Sequence, residues 1–124
     1  MVRILIVSID NDSLTDFKAG LELDDVQISW VDSCNDVFSR LKEEKFDLIV
    51  TDENITDMNG IECIEKLILF NPLLNCAAIS SLSPDDFHEK SEGLGILMQL
   101  PKKPSTQDGI KLLEHLNTIL KLIK

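Results

Sequence analysis

The sequence predicts an α/β fold in which a parallel sheet is covered by helices on both faces. Three observations predict it. Short continuous apolar runs such as Ile4–Val7 and Cys76–Ile79 have the length and composition of strands buried on both sides. Between such runs the apolar spacing changes to the three-and-four interval of amphipathic helices. The two patterns alternate along all 124 residues, without an internal repeat, linker or low-complexity stretch.

Ile4–Val7 is the first strand. Asn11, Asp12 and Ser13 offer caps for the helix that follows, whose stripe of Leu14, Phe17 and Leu21 ends near Gly20. Val26–Val31 alternates apolar and polar residues, as a strand at or near an edge does. Ser33 with Asp36 resembles a capping box and opens a helix with Val37, Phe38 and Leu41 inward. Phe46–Thr51 is the third strand. After a loop through Gly60, Ile61, Ile64, Leu67 and Ile68 share a helix face. That helix must stop before Asn71-Pro72, because a residue preceding proline is pushed out of the helical region. Cys76–Ile79 is the fourth strand. Ser83 caps the next helix, with Pro84 in its first turn and Asp85 and Asp86 at the positive end of its dipole. Ile96–Leu100 is the fifth strand. Ser105 caps a final helix in which Ile110, Leu113, Leu116, Leu120 and Ile123 line one side.

Five strands alternating with five helices, joined by right-handed crossovers, give a flavodoxin-like (βα)5 three-layer sandwich with strand order 2-1-3-4-5. The length suits this fold better than a larger dinucleotide-binding one, and a single domain over residues 1–124 is expected. Open sheets of this kind bind ligands at the carboxyl ends of the strands, where the order switches, here beside strands one and three.

Composition narrows the function. With 22 acidic and 12 basic residues the formal net charge is -10, which disfavours direct binding to nucleic acid or an anionic membrane and suits a cation or a basic protein surface. No apolar run approaches the roughly 20 residues needed to span a bilayer, and Met1–Val7 is too short for a signal peptide. A cytoplasmic location follows as the expectation. Cys34, Cys63 and Cys76 are widely spaced, without a CxxC pair, and read as small hydrophobes rather than as disulfides or zinc ligands. His88 and His115 have no ligand-like neighbours and read as surface residues. Trp30, on the second strand, is expected too far from the crevice to hold a cofactor.

The strand ends carry the chemistry. Ser8-Ile9-Asp10-Asn11-Asp12 follows the first strand, Asp52-Glu53-Asn54 the third, Ser80-Ser81 the fourth and Lys102-Lys103-Pro104 the fifth. A carboxylate, hydroxyls and an ammonium converging on one crevice point to phosphoryl chemistry. The carboxylate can attack phosphorus, and the other donors can hold the charged oxygens of the transition state. A divalent cation held by carboxylate and carbonyl oxygens normally completes such a site. Taken singly, each group has a plainer role. Asp52 would be a polar cap after a buried strand, Ser80 and Ser81 loop formers, the lysines a solvated pair, and Asp10 and Asp12 turn or N-cap residues.

The segment Asp47–Gly60, with Asp52, Met58 and Gly60 in register, resembles the phosphoacceptor segment of response-regulator receiver domains. Ser80 after strand four and the Lys-Pro pair after strand five extend the resemblance over the whole chain. It implies a single-domain response regulator in a bacterial two-component phosphorelay, a phosphoprotein that accepts aspartyl phosphate on Asp52 from a histidine kinase or phosphotransfer protein. It implies roles at the phosphoryl group for Ser80 and Lys103, and a Mg²⁺ ion held by Asp52, the Asn54 backbone carbonyl and Asp10. Such a chain is not an enzyme beyond its own phosphotransfer. A downstream protein would bind the face of helix four, strand five and helix five, with a homodimer possible. No DNA-binding or catalytic segment follows Leu120, so output through protein contacts is expected.

The chain also departs from the family. Ser8 and Ile9 occupy the places of the two acids that organise Mg²⁺, and Ile9 cannot ligate a metal. Thr56 stands for the usual Pro, and Asn59 for Asp. Leu100-Pro101-Lys102-Lys103-Pro104 carries one residue more than Leu-Pro-Lys-Pro; Lys103 precedes the proline as expected, while spacing from Ser80 equally suits Lys102. The aromatic three places before that lysine is replaced by Gln99 or Leu100, and the chain has no Tyr. These departures leave, behind the phosphoacceptor reading, an alternative: a phosphorylation-independent pseudo-receiver acting as a protein-interaction module. A flavin carrier is a more distant third reading, because the carboxylates of Asp10 and Asp12 would face the flavin phosphate.

Overall fold

The structure is a computed structural model and describes residues 1–22 and 25–123, with side chains described as far as residue 121. Its strands are β1 (Val2–Val7), β2 (Val26–Val31), β3 (Leu48–Thr51), β4 (Cys76–Ile79) and β5 (Gln99–Leu100). The helices are α1 (Thr15–Leu21), α2 (Cys34–Leu41), α3 (Gly60–Phe70), α4 (Pro84–Ser91) and α5 (Thr106–Ile123). All strand pairs are parallel, in the predicted order β2-β1-β3-β4-β5.

The central strands are continuously apolar because both sheet faces are covered. Alternate side chains go opposite ways: Ile4 and Ile6 pack with Phe17, Leu112 and Leu116 under α1 and α5, whereas Leu5 and Val7 pack with Val37, Ile64 and Leu67 under α2 and α3. Each such fully buried Ile or Leu contributes roughly 1.5–3 kcal/mol. The stripe Leu14, Phe17, Leu21 is buried as predicted, and so are Leu113 and Leu116 of α5. Leu112 joins them, although the sequence stripe did not include it; the side chain of Ile123 lies outside the described ones. Cys34, Cys63 and Cys76 are buried free thiols, and burial pushes all three up, Cys76 to about 12. His88 and His115 are exposed.

Helix starts follow the predicted caps at α2, α4 and α5. Ser33 Oγ accepts the Asp36 N–H (3.0 Å), and Ser83 Oγ accepts that of Asp86 (3.2 Å). Ser105 and Asp108 cap each other reciprocally, at 3.1 and 2.8 Å. Asn59 caps α3 by accepting the Glu62 N–H at 2.9 Å. The start of the first helical segment is a correction. Asp10, not Asn11, Asp12 or Ser13, supplies the capping carboxylate, accepting the Ser13 N–H at 3.3 Å ahead of a 3-10 turn at Asp12–Leu14.

Two strands are shorter than predicted. β3 starts at Leu48, and Phe46 instead lies beneath the guanidinium groups of Arg3 and Arg40. β5 keeps only Gln99 and Leu100 of the five residues 96–100. α1 and α5 approach backbone to backbone: a Cβ on Gly20 would lie 2.0 Å from the Thr106 carbonyl oxygen, and one on Gly109 2.4 Å from that of Phe17.

Candidate functional site

β1 and β3 are neighbours, with Val7 opposite Thr51, so the residues just after them meet at the carboxyl edge of the sheet. Asp52 N–H donates to the Val7 carbonyl (2.8 Å) and Ser8 N–H to that of Val31 (2.9 Å), which fixes both backbones. Ser8 Oγ then donates to Asp52 Oδ2 at 2.7 Å, and the Glu53 N–H donates to Asp52 Oδ1 at 2.7 Å. Asp52 is only 8% exposed. The Ser8 hydroxyl also accepts the Asp10 N–H at 3.0 Å, closing a tight turn after β1. Ile9 points outward, 60% exposed.

Gly60 is required by this packing, because a Cβ there would lie 2.2 Å from the Asp52 carbonyl oxygen. The loop between them folds on itself: Gly60 N–H donates to the Glu53 carbonyl (3.0 Å), and Asn54 pairs with Asn59 in an isolated antiparallel bridge. The same loop sends Asp57 across to the start of α2, where it accepts the N–H groups of Cys34 (2.9 Å) and Asn35 (3.1 Å). Burial alone would raise the Asp57 carboxyl; those amides outweigh it and hold the group below the usual carboxylate range.

On the other side, Ser80 is buried at the end of β4, with its N–H on the Leu100 carbonyl (2.9 Å) and its Oγ accepting the Leu82 N–H (3.2 Å). Glu53 reaches across to this edge. Its carboxylate accepts Ser81 N–H (2.7 Å) and Ser81 Oγ–H (2.7 Å to Oε2), and Lys102 Nζ lies 3.4 Å from Oε1. The Ser81 amide first, then its hydroxyl and Lys102, hold Glu53 below the ordinary carboxylate range against the opposing effect of burial. Of the two lysines, Lys102 therefore aims its ammonium at the residue beside Asp52. Lys103 is exposed, with φ of 52°, so the extra residue of this segment is absorbed as a left-handed kink. Gln99, three places before Lys102 and in β5, donates from its Nε2 to the carbonyls of Leu82 (2.8 Å) and Ser80 (3.4 Å).

Two cavities flank these strand ends. One, of about 320 Å³, is lined by Glu53, Asn54, Ile61, Ser80, Leu82 and Lys90 among others. The second, of about 340 Å³, opens between Ser8, Asn11, Trp30, Asp32 and Asp36, so Trp30 stands closer to the crevice than the sequence reading placed it.

A divalent cation fits this donor set poorly. Mg²⁺ requires near-ideal octahedral coordination by hard oxygens. Here a hydroxyl hydrogen already points at Asp52 Oδ2, and the Asp10 carboxylate accepts the Ser13 amide. Among the described residues no group of three His, Cys, Asp or Glu side chains is placed to hold a metal ion.

A family model described as the response regulator receiver domain matches residues 4–118. The chain belongs to the receiver domain family. It is 31% identical over 90 residues to the response regulator receiver protein CpdR of Brucella abortus (strain 2308), covering 68% of this chain and 75% of that one. The fold is similar to a CheY-like receiver domain protein from Methanospirillum hungatei JF-1, with TM-score 0.81, 24% identity and 98% of each chain covered. It is also similar to a two-component response regulator from Clostridium difficile, with TM-score 0.80, 19% identity and 100% and 99% covered. Receiver domains are generally non-enzymatic signalling domains that interact with histidine kinases or phosphotransfer proteins and with downstream partners. They typically bind Mg²⁺ at an acidic pocket. Among the described residues no helix is long and apolar enough to cross a membrane.

The sequence reading placed Asp52, Ser80 and the lysine pair at strand ends, and β3 and β4 are adjacent. It missed Glu53, whose partners lie on other loops. The spacing from Ser80 was the one signal that pointed to Lys102.

Proposed function

We propose that this chain is a single receiver domain, over residues 1–124, that works in two-component signalling through protein contacts and without Mg²⁺-assisted phosphoryl transfer. The observation that carries this reading is the Ser8 hydroxyl bonded to Asp52 where the family resemblance places a metal-binding acid. The partner under this reading is a downstream protein docking on α4, β5 and α5, in the cytoplasm of a bacterium, with a homodimer as a further assembly; a histidine kinase or phosphotransfer protein belongs to the reading in which Asp52 is phosphorylated. A formal charge of -10 supports protein rather than nucleic-acid partners.

A second reading retains Asp52 as phosphoacceptor, with Ser80 and one of Lys102 and Lys103 on the phosphoryl oxygens. It is supported by a buried carboxylate and a buried hydroxyl ending two adjacent strands. Intact mass after incubation with acetyl phosphate and Mg²⁺, beside calorimetric Mg²⁺ titration, separates the two. The first reading expects no adduct and no saturable binding. An adduct that disappears in Asp52→Asn establishes the second.

A further inference from the structure

Glu53 is partly buried and extends from the end of β3 to the loops after β4 and β5. An exposed surface carboxylate commonly takes one flexible partner for little gain. This one collects a backbone amide and a hydroxyl from Ser81, at 2.7 Å each, and an ammonium from Lys102 at 3.4 Å. Three donors of different kinds, from two loops, meet on one anion, the arrangement that suits a bound oxyanion. From the opposite side Gln99 Nε2 holds the carbonyls of Leu82 and Ser80. The Ser80–Leu82 segment is thereby tied down by β3 on one flank and β5 on the other.

We infer that Glu53 is a built-in anion, whose carboxylate draws the loop after β4 and Lys102 together as a phosphoryl group on neighbouring Asp52 would. The loop is then ordered while Asp52 is unmodified. This rests on the receiver reading only for the position of Asp52. It also gives Glu53 a definite relation to any phosphoryl group there: the two anions would compete for Lys102, and like charge would drive the Glu53 side chain out.

The test uses ¹⁵N-labelled full chain as wild type, Glu53→Gln and Glu53→Ala, with the amide signals of β1 and β3 verifying the fold. In the wild type the Ser81 amide proton shift follows a titration with its midpoint below the ordinary glutamate value. Its exchange is about tenfold slower than in Glu53→Ala. Glu53→Gln keeps an acceptor for the amide but loses the charge facing Lys102, so its exchange lies between the two. Equal Ser81 exchange and shift in all three proteins overturns the inference. An Asp52 phosphoadduct in the wild type would overturn the metal-free reading instead and leaves this inference to be judged on Ser81 alone.

Discussion

Ser8 Oγ donates a 2.7 Å hydrogen bond to Asp52 Oδ2, tying together residues 44 positions apart at the ends of two adjacent strands. A neutral hydroxyl therefore faces the buried carboxylate. The bond satisfies Asp52 without a second charge, so a lone carboxylate can remain buried there.

Restoring acids should restore the metal. In the variant Ser8→Asp with Ile9→Asp, a second carboxylate is forced against Asp52, and like-charge repulsion lowers Tm in metal-free buffer. Mg²⁺ should then raise Tm as a ligand bound to the folded state does, while wild type stays unmoved. Equal Mg²⁺ response in the two proteins would contradict the assignment of Ser8 and Ile9 to the cation positions.

The lysines should separate by backbone geometry. Lys103 sits at φ of 52°, which costs a residue bearing a Cβ roughly 1–2 kcal/mol. Lys103→Gly should stabilise the protein by about 1 kcal/mol in urea denaturation. Lys102→Gly gains nothing comparable and loses the Glu53 ion pair. A destabilised Lys103→Gly would mean that the left-handed conformation is not held in solution.

Gly20 and Gly109 should tolerate no side chain. A Cβ on either would sit within 2.4 Å of a carbonyl oxygen on the facing helix, and backbone cannot rotate away as a side chain can. Either Gly→Ala change should destabilise by about 2–3 kcal/mol through forced separation of α1 and α5. A loss below about 0.5 kcal/mol, the level of an ordinary surface change, would refute the close crossing.

Acid should loosen the loops around the site before the core. Glu53 and Asp57 both titrate below their ordinary values in the folded chain, so the unfolded chain binds protons that the folded chain does not. Their contribution is complete above about pH 5 and is lost as pH falls through about 4 and below. Stability measured from pH 7 to 3 should fall less in Asp57→Asn than in wild type. An unchanged slope would show that Asp57 does not hold the start of α2.

Much of the fold was legible because burial on two faces leaves a periodic trace. Ile4–Val7 and Cys76–Ile79 read as strands, and Ser33, Ser83 and Ser105 as caps, since each signal lies within a few residues of what it specifies. β5 was read too long because Ile96, Leu97 and Met98 are apolar for packing reasons that do not require ladder pairing. The first cap was misplaced among Asn11, Asp12 and Ser13 because all are capping residue types. Only the bond from Ser13 N–H to the Asp10 carboxylate selects one.

The sequence by itself determined the layered α/β class, the strand order and the placement of Asp52 and Ser80 directly after β3 and β4, because periodicity, crossover handedness and length are properties of the chain. The tertiary structure alone decided that Ser8 bonds to Asp52, that Glu53 and not Asp52 accepts Ser81, and that Lys102 reaches Glu53 while Lys103 is exposed at a positive φ. Those outcomes depend on side-chain direction across loops 28 to 49 residues apart. Hydrogen bonds at such separation leave no periodic mark in the sequence.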